Sequence, residues 1–338
     1  MGGGRSSNIE LLRIVSMSMI VIHHFLLNAI TPAAIPNNLF AVLDSFVYAG
    51  VNVFFLISGC FLIKLSFRSI VKFAVTIFYF CVINIILSLI TGIPVGKSIY
   101  LKTLFYPISG GQYWFIQVYF MLMLTAPLIN AGIKSFTKEQ LRNLLILFSA
   151  GILYSCAISS LASYSYLQGL YLYVLGYYLY TYRPFSRVSA GMFLLIFIIC
   201  CLLSGLGGYM TSDVYFGRYN NVFMIVGAVS LLLCFERFDF HSSIVNAISG
   251  AALGCYLLQD GYYGSMYFYM WQSDYVGTHG LGFGTIMMFT VSFLSIWALS
   301  FVLTAFKNVF LISLSDGIIR SISRVLSRIG ASRYHLSD

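Results

Sequence analysis

The sequence predicts an all-α protein, a polytopic bundle of about ten transmembrane helices with both termini in the cytoplasm. Of its 338 residues, 59% are hydrophobic and only 9% are charged, whereas an ordinary soluble domain carries about 25% charged residues. The mean hydropathy is +0.89, and apolar runs of roughly 20 residues, the length that crosses a bilayer, recur along the whole chain. This composition excludes an ordinary soluble protein.

The predicted spans follow one another closely, without a stretch that is long and polar enough for a separate soluble domain. The first span is too long for a cleaved signal sequence, and it carries Arg13 and the His23–His24 pair within it. All seven cysteines fall in apolar runs without metal-ligand spacing, so we predict packing residues and no metal site. The spans are 10–30, 40–63, 69–91, 112–133, 141–160, 165–181, 188–208, 219–235, 244–263 and 284–306.

The net charge of +9 is a signal of topology. With the N-terminus inside, 16 of the 19 Lys and Arg residues lie in inside segments, and only Lys97, Lys102 and Arg218 lie outside. An excess of basic residues in cytoplasmic loops is the ordinary positive-inside pattern. The distribution therefore favours ten spans and excludes nucleic acid as the partner.

The end of the chain is predicted to be a basic amphipathic helix on the inner membrane surface. We divide the chain into a membrane domain, residues 1–306, and a cytoplasmic tail, residues 307–338. The tail is either a solvated anchor or a docking segment for a cytosolic partner. Its apolar and basic residues alternate at helical spacing: Ile318, Ile319, Ile322, Val325, Leu326 and Ile329 with Arg320, Arg324 and Arg328.

Arg13 and His24 are the first candidates for chemistry. They lie eleven residues apart, which is about three helical turns and roughly 16 Å of rise, so both side chains share one helix face. Arg13 is expected near the membrane surface and His24 near mid-bilayer, where an ionisable group is functional by default. Histidine is a suitable general base near neutral pH, and the planar arginine fork suits phosphate or carboxylate. The alternatives are a snorkelling arginine and a histidine that bonds a neighbouring helix.

Two neighbours of this pair have supporting roles. His23 lies about 100° around the helix and is expected to bond another span. Glu10 precedes Arg13 by three residues and either orients it or forms an ordinary surface ion pair. An anionic carrier with a long reactive arm, such as coenzyme A, fits this arrangement. Its charged group would dock on Arg13 at the membrane surface, and its arm would reach inward to His24.

Further polar residues stand in the later spans and connections. Asn52 and Ser58 are expected near the face of Arg13 and His24, although plain helix packing explains Ser58 and Gly59 as well. Trp114, with Tyr113 and Tyr119, is predicted at the outer interface, either as part of the usual aromatic belt or as a sugar platform. Arg218 and the aromatic connection 261–284 are candidates for an outer acceptor site.

Five motifs, taken in order along the chain, resemble acyltransferase family 3, whose members are bacterial membrane O-acyltransferases that modify surface polysaccharides. The resemblance extends from residue 8 to about residue 305. In many members a histidine stands where this chain has Gln259, which cannot titrate. The motifs are Asn8–Ile14 with His23–Phe25, Gly50–Leu62, Tyr113–Tyr119, Tyr219–Asn221 and Leu253–Asp260.

The resemblance implies an O-acyltransferase of the bacterial plasma membrane. It implies acetyl-CoA as the acyl donor and a sugar hydroxyl of an envelope glycan or lipid-linked glycan as the acceptor, with membrane lipid around the protein. His24 would deprotonate the hydroxyl or carry the acyl group transiently, and Arg13 would hold the donor. Asp260 either orients the acceptor or marks the end of a span, and Gln259 is expected to bind substrate. The rival classes are a lipid-linked glycan transporter and a coenzyme A sensor.

Overall fold

The computed structural model describes residues 6–30, 34–106, 108, 113–158, 164–211 and 214–328. Every regular element in these ranges is helical, which confirms the predicted all-α class. Short π-helical segments follow α1 and α12, at Leu26–Ile30 and Gly264–Phe268, and a 3₁₀ turn covers Val214–Gly217. The helices are α1 Ser7–Phe25, α2 Asn37–Ser45, α3 Gly50–Phe61, α4 Phe67–Ile90, α5 Lys97–Phe105, α6 Trp114–Ser135, α7 Lys138–Ile158, α8 Tyr166–Tyr182, α9 Ala190–Thr211, α10 Val222–Glu236, α11 Ser243–Ser249, α12 Ala252–Gln259, α13 Tyr269–His279 and α14 Phe283–Arg328.

Seven helical segments among the described residues are long and apolar enough to cross a membrane. Three other predicted spans correspond to shorter helices, namely α8 with 17 residues, α10 with 15 and the interrupted pair α11–α12. The segments of sufficient length are Ser7–Ile30, Asn38–Phe61, Phe67–Ile90, Trp114–Ser135, Lys138–Ile158, Ala190–Thr211 and Phe283–Val309.

The bundle is built around α1, α3, α8, α10 and α12. Helix α1 packs against α3, α10, α11 and α12, while α3 packs against α8 and α10. Helices α4 and α14 cover α12, and α6 and α7 cover α8. These outer helices expose apolar side chains, as expected for helices whose outward face meets lipid. The polar face of α1 is thereby enclosed by protein.

Helices α3 and α8 make the closest backbone contact in this core. A Cβ atom at Gly59 would lie 1.9 Å from the carbonyl oxygen of Tyr173, and one at Gly176 would lie 2.1 Å from the carbonyl oxygen of Leu56. Each helix therefore uses a glycine where the backbone of the other passes. Small residues are the usual means of such approach between membrane helices.

Contacts between distant segments divide the bundle into two ends, which we call the Arg13 end and the His24 end. Basic residues from four predicted inside segments gather at the Arg13 end, and the aromatic connections gather at the His24 end. At the Arg13 end, Ser7 bonds Asn246, Arg237 bonds Phe185 and Lys307 bonds Thr76. At the His24 end, Tyr262 bonds Pro94 and Trp114 packs against Tyr219.

The connection 261–284 and the start of the tail are both helical. In residues 261–284 the second π-helical segment and α13 fold, and α13 packs against the π-helical turn after His24. Helix α14 continues from Phe283 to Arg328 and so runs through the predicted start of the tail at residue 307. Most side chains of the tail, and residues 329–338, lie outside the described set.

We predict that Gly59→Ala destabilises the bundle, because the added methyl group forces α3 away from α8. The expected cost is about 1–3 kcal/mol, typical of overpacking in a tight core, measured as the free energy of unfolding in detergent. Gly151→Ala, in α7, is the matched control because nothing lies within 4 Å of its new Cβ atom. Equal stability of the two variants would contradict the close contact.

Candidate active site

The start of α1 is tied to α10 and α11 by polar side chains. The Ser7 hydroxyl donates to Asn246 at 3.0 Å, and the Asn8 amide donates to the carbonyl oxygen of Phe235 at 3.1 Å. Ser7 and Asn8 belong to α1, whereas Asn246 and Phe235 come from later predicted spans, so the first and last thirds of the chain meet here. These bonds set the rotation of α1 about its axis, and the side chains that follow point into the bundle.

Glu10 and Arg13 form an ion pair one turn further along α1. Arg13 Nη1 donates to Glu10 Oε1 at 2.6 Å, and the Ser249 hydroxyl donates to the other carboxylate oxygen. Glu10 is 6% exposed, so its charge requires these partners. The predicted orienting role of Glu10 therefore has a geometric basis, and a surface ion pair does not describe this arrangement.

Arg13 lines a cavity of about 240 Å³ that lies among α1, α3, α4, α6 and α12. Most of its wall is apolar, including Met17, Ile20 and Phe115. The polar lining groups are Arg13, Ser58, Tyr119 and Tyr256. Tyr119 therefore belongs with Arg13 in this cavity and not at the outer interface, which corrects the sequence-based expectation. Ile20, one turn before His24, lines the cavity, whereas His24 does not.

His24 lies in the first long span, Ser7–Ile30, six residues before its end, as Arg13 lies six residues after its start. We expected His24 near the middle of the span, and it lies instead closer to the end at Ile30. The Nδ1 atom of His24 is buried and makes no hydrogen bond to any described residue. An unpaired buried nitrogen is uncommon and marks a place where a ligand or water completes the bonding.

Gln259 lies beside the His24 ring, within interaction range of it. Its Oε1 accepts a hydrogen bond from the Tyr269 hydroxyl at 3.1 Å, and the Tyr269 ring meets His24 edge-on at 6.3 Å between centroids. The Nε2 of Gln259 is buried without a partner among the described residues. One wall of the site thus presents an imidazole and an amide donor that are both available for substrate.

His23 bonds Asp44, a residue that the sequence analysis missed. His23 Nδ1 and Asp44 Oδ1 are 2.5 Å apart, and both residues are more than nine-tenths buried. Asp44 lies in the last turn of α2, which overlaps the predicted second span. A lone carboxylate within a predicted span was the signal that should have identified it. The expected bond from His23 to another span is present.

Asp260 also lies near His23. It is half-buried and lies within interaction range of His23 and of Tyr256, whose side chain also lines the Arg13 cavity. Asp260 therefore connects the two regions of the site. The aromatic ring of Tyr48 packs edge-on against His23 at 5.0 Å and stacks on Tyr219 at 4.2 Å.

Both π-helical segments adjoin this site. Leu26–Ile30 begins two residues after His24, and Gly264–Phe268 begins five residues after Gln259. A π-helical turn costs stability and occurs frequently at functional sites. The segments set the exit directions of α1 and α12 at the point where the unpaired nitrogens lie.

Three other predicted site residues do not line the Arg13 cavity, and their roles in binding stay predictions. The Asn52 amide donates to the carbonyl oxygen of Tyr219 at 2.7 Å and does not line the Arg13 cavity. Trp114 is half-buried and packs against Tyr219 at 5.5 Å between centroids. Arg218 donates to the carbonyl oxygen of Cys156. Ser58, by contrast, lines the cavity with Arg13 as expected.

These features define a multi-pass helical membrane protein with a cluster of buried polar side chains enclosed by its core helices. The chain belongs to acyltransferase family 3, because the family model described as an acyltransferase domain matches residues 6–305, nearly the whole chain. The protein is therefore a membrane acyltransferase, as the sequence motifs predicted. Comparison with curated proteins and with solved structures found no match.

We predict an energetic coupling between His23 and Asp44, measured by a double-mutant cycle of unfolding in detergent. Each single substitution to Ala leaves a buried polar partner unpaired, at a cost of about 1.5–3 kcal/mol. The double variant should lose much less than the sum of the two. Asp239→Ala, at an exposed carboxylate, is the control, and additive losses would show that the pair is not coupled.

Proposed function

We propose that this protein is an O-acetyltransferase that moves an acetyl group from acetyl-CoA to a sugar hydroxyl of an envelope or exported polysaccharide. One observation carries the proposal: the His24 and Gln259 side chains lie side by side, and each has a buried nitrogen, Nδ1 and Nε2 respectively, that is unpaired among the described residues. A general base and a hydrogen-bond donor next to each other are what acyl transfer to a hydroxyl requires. The acetyl donor and the glycan acceptor follow from the family resemblance.

Arg13 is the proposed anchor of the donor. It is the cationic residue that lines the cavity, and its ion pair with Glu10 holds its side chain in place. Phosphate groups of coenzyme A bind at the Arg13 end, and the pantetheine arm extends along the apolar cavity wall toward His24. The helical rise of roughly 16 Å between the two residues suits this long arm.

The proposed chemistry is direct transfer with His24 as the base. His24 accepts the proton of the acceptor hydroxyl as the hydroxyl oxygen attacks the thioester carbonyl carbon. Gln259 Nε2 donates to the carbonyl oxygen, where negative charge develops. The carbon–sulfur bond then breaks, and His24 returns the proton to the sulfur. The products are the acetyl ester and coenzyme A as the free thiol.

The proposed setting is the bacterial plasma membrane, with ten spans and both termini in the cytoplasm. The contacts at the Arg13 end support this topology, because Ser7, Arg237 and Lys307 all lie there. Each of these residues belongs to a segment that the positive-inside pattern assigns to the cytoplasm. Arg13 would then face the compartment that supplies acetyl-CoA.

His24→Ala is expected to lower the turnover number by on the order of a thousandfold, because general base catalysis contributes about 10²–10⁴. The assay follows thiol release and acetyl transfer to a glycan by the purified protein. His241→Ala, at an exposed histidine, is the matched control. Normal transfer by the His24 variant would exclude the base assignment. A wild-type protein that moves labelled lipid-linked glycan without consuming thioester would be a transporter.

Arg13→Ala is expected to raise the KM for acetyl-CoA by about tenfold or more, because it removes charge-assisted hydrogen bonds to phosphate. The turnover number at saturating donor should change much less. The same substitution at Arg142, an exposed arginine of α7, is the control. An unchanged dependence on donor concentration would remove Arg13 from the donor site.

A further inference from the structure

A second cavity lies further along α12 than the Arg13 cavity. Its volume is about 190 Å³, and α4, α12, the second π-helical segment and α14 enclose it. Its lining is mostly apolar and includes no charged residue. Its lining residues include Leu87, Leu258, Gln259, Phe268, Ser295 and Leu299.

This cavity opens toward the lipid-facing surface of the bundle. Its α14 wall includes Ser295 and Leu299, which are exposed, Leu299 by 41%. Neighbouring α14 residues in the same span, such as Leu294 and Val302, are exposed and apolar as well. A surface of this kind inside a membrane span meets hydrocarbon. A molecule that enters here comes from within the bilayer and not from either aqueous side.

The two cavities share no lining residue, and they adjoin successive parts of α12. Leu253 and Tyr256 line the Arg13 cavity, whereas Leu258 and Gln259 line the second one. Gln259 is 1% exposed, and its unpaired Nε2 gives this apolar cavity one buried hydrogen-bond donor. The same side chain lies beside His24. Through Gln259 the second cavity therefore adjoins His24, and it does so apart from the Arg13 cavity that is proposed for acetyl-CoA.

We propose that this second cavity binds the hydrocarbon chain of a membrane-anchored acceptor, so that the acceptor reaches His24 sideways from the bilayer. This inference rests on the proposed acyl-transfer function and adds the anchoring of its acceptor. A phospholipid tail has no polar group to offer Gln259 Nε2, and it would leave that donor buried and unpaired at a cost. An anchored acceptor brings oxygen atoms to the amide and a hydroxyl to the base.

The kinetic test uses the full chain in nanodiscs with acetyl-CoA and two acceptors, a polyprenyl-phosphate-linked sugar and its water-soluble methyl glycoside. Leu299→Trp narrows the cavity, and Leu294→Trp places the same group on the same helix outside it. Leu299→Trp should raise the KM for the anchored acceptor by about tenfold. The KM for acetyl-CoA and the rate with the soluble acceptor should stay unchanged. Equal losses with both acceptors, or no loss, would overturn the proposal.

A binding test separates this proposal from the proposed function. A polyprenyl phosphate that carries a diazirine on its chain is photolysed with the protein, and the labelled peptides are mapped. Labelling of the cavity residues of α4, α12 and α14, reduced by Leu299→Trp and not by Leu294→Trp, supports the cavity whether or not acyl transfer is observed. Labelling that excess phospholipid abolishes would identify bulk lipid as the occupant and overturn the proposal.

Discussion

The requirement that polar side chains buried in an apolar bundle find partners determines the placement of α1. Three of its polar side chains are bonded to other parts of the protein: Ser7 to Asn246, Glu10 to Ser249 and His23 to Asp44. An uncompensated buried group of this kind costs several kcal/mol. Rotation of α1 would break these bonds together. The helix is therefore locked with Arg13 and His24 toward the protein interior, and the rest of the site depends on that orientation.

Because most buried polar groups of α1 are bonded in this way, a buried polar atom without a hydrogen-bond partner is informative. The His24 and Gln259 side chains lie side by side, and His24 Nδ1 and Gln259 Nε2 are among the buried atoms without hydrogen bonds to described residues. Buried polar groups without partners in native proteins call for an explanation, and a functional role is one of them. These two side chains lie where α1 and α12 meet. Helix α12 also contributes residues to both cavities. A reaction with two substrates of different solubility suits such a divided site.

Much of the fold was predictable, because composition and hydropathy depend only on local sequence. The helical class, the membrane character and the family all followed from apolar runs and from the order of short motifs, and all three are confirmed. The pairing of Glu10 with Arg13 followed from helical spacing. Asp44 was not identified as the partner of His23, because that pairing depends on how α2 packs beside α1 and not on spacing. The assignment of Tyr119 to the outer interface was wrong for the same kind of reason, since the tilt and packing of α6 decide where its residues lie.

The sequence alone determined that this chain forms apolar helices, and it placed an arginine and a histidine on one helix face, because helical geometry relates residues that are close in the chain. Only the tertiary structure decided which groups meet that face. Gln259, Tyr256 and Tyr269 approach α1 from helices far away in sequence, and Asp44 approaches it from the next helix, α2. Their positions arise from close packing between helices, such as the glycine contact of α3 with α8. Local patterns carry no information about such contacts, and for this reason the partners within the candidate site became visible only in the folded bundle.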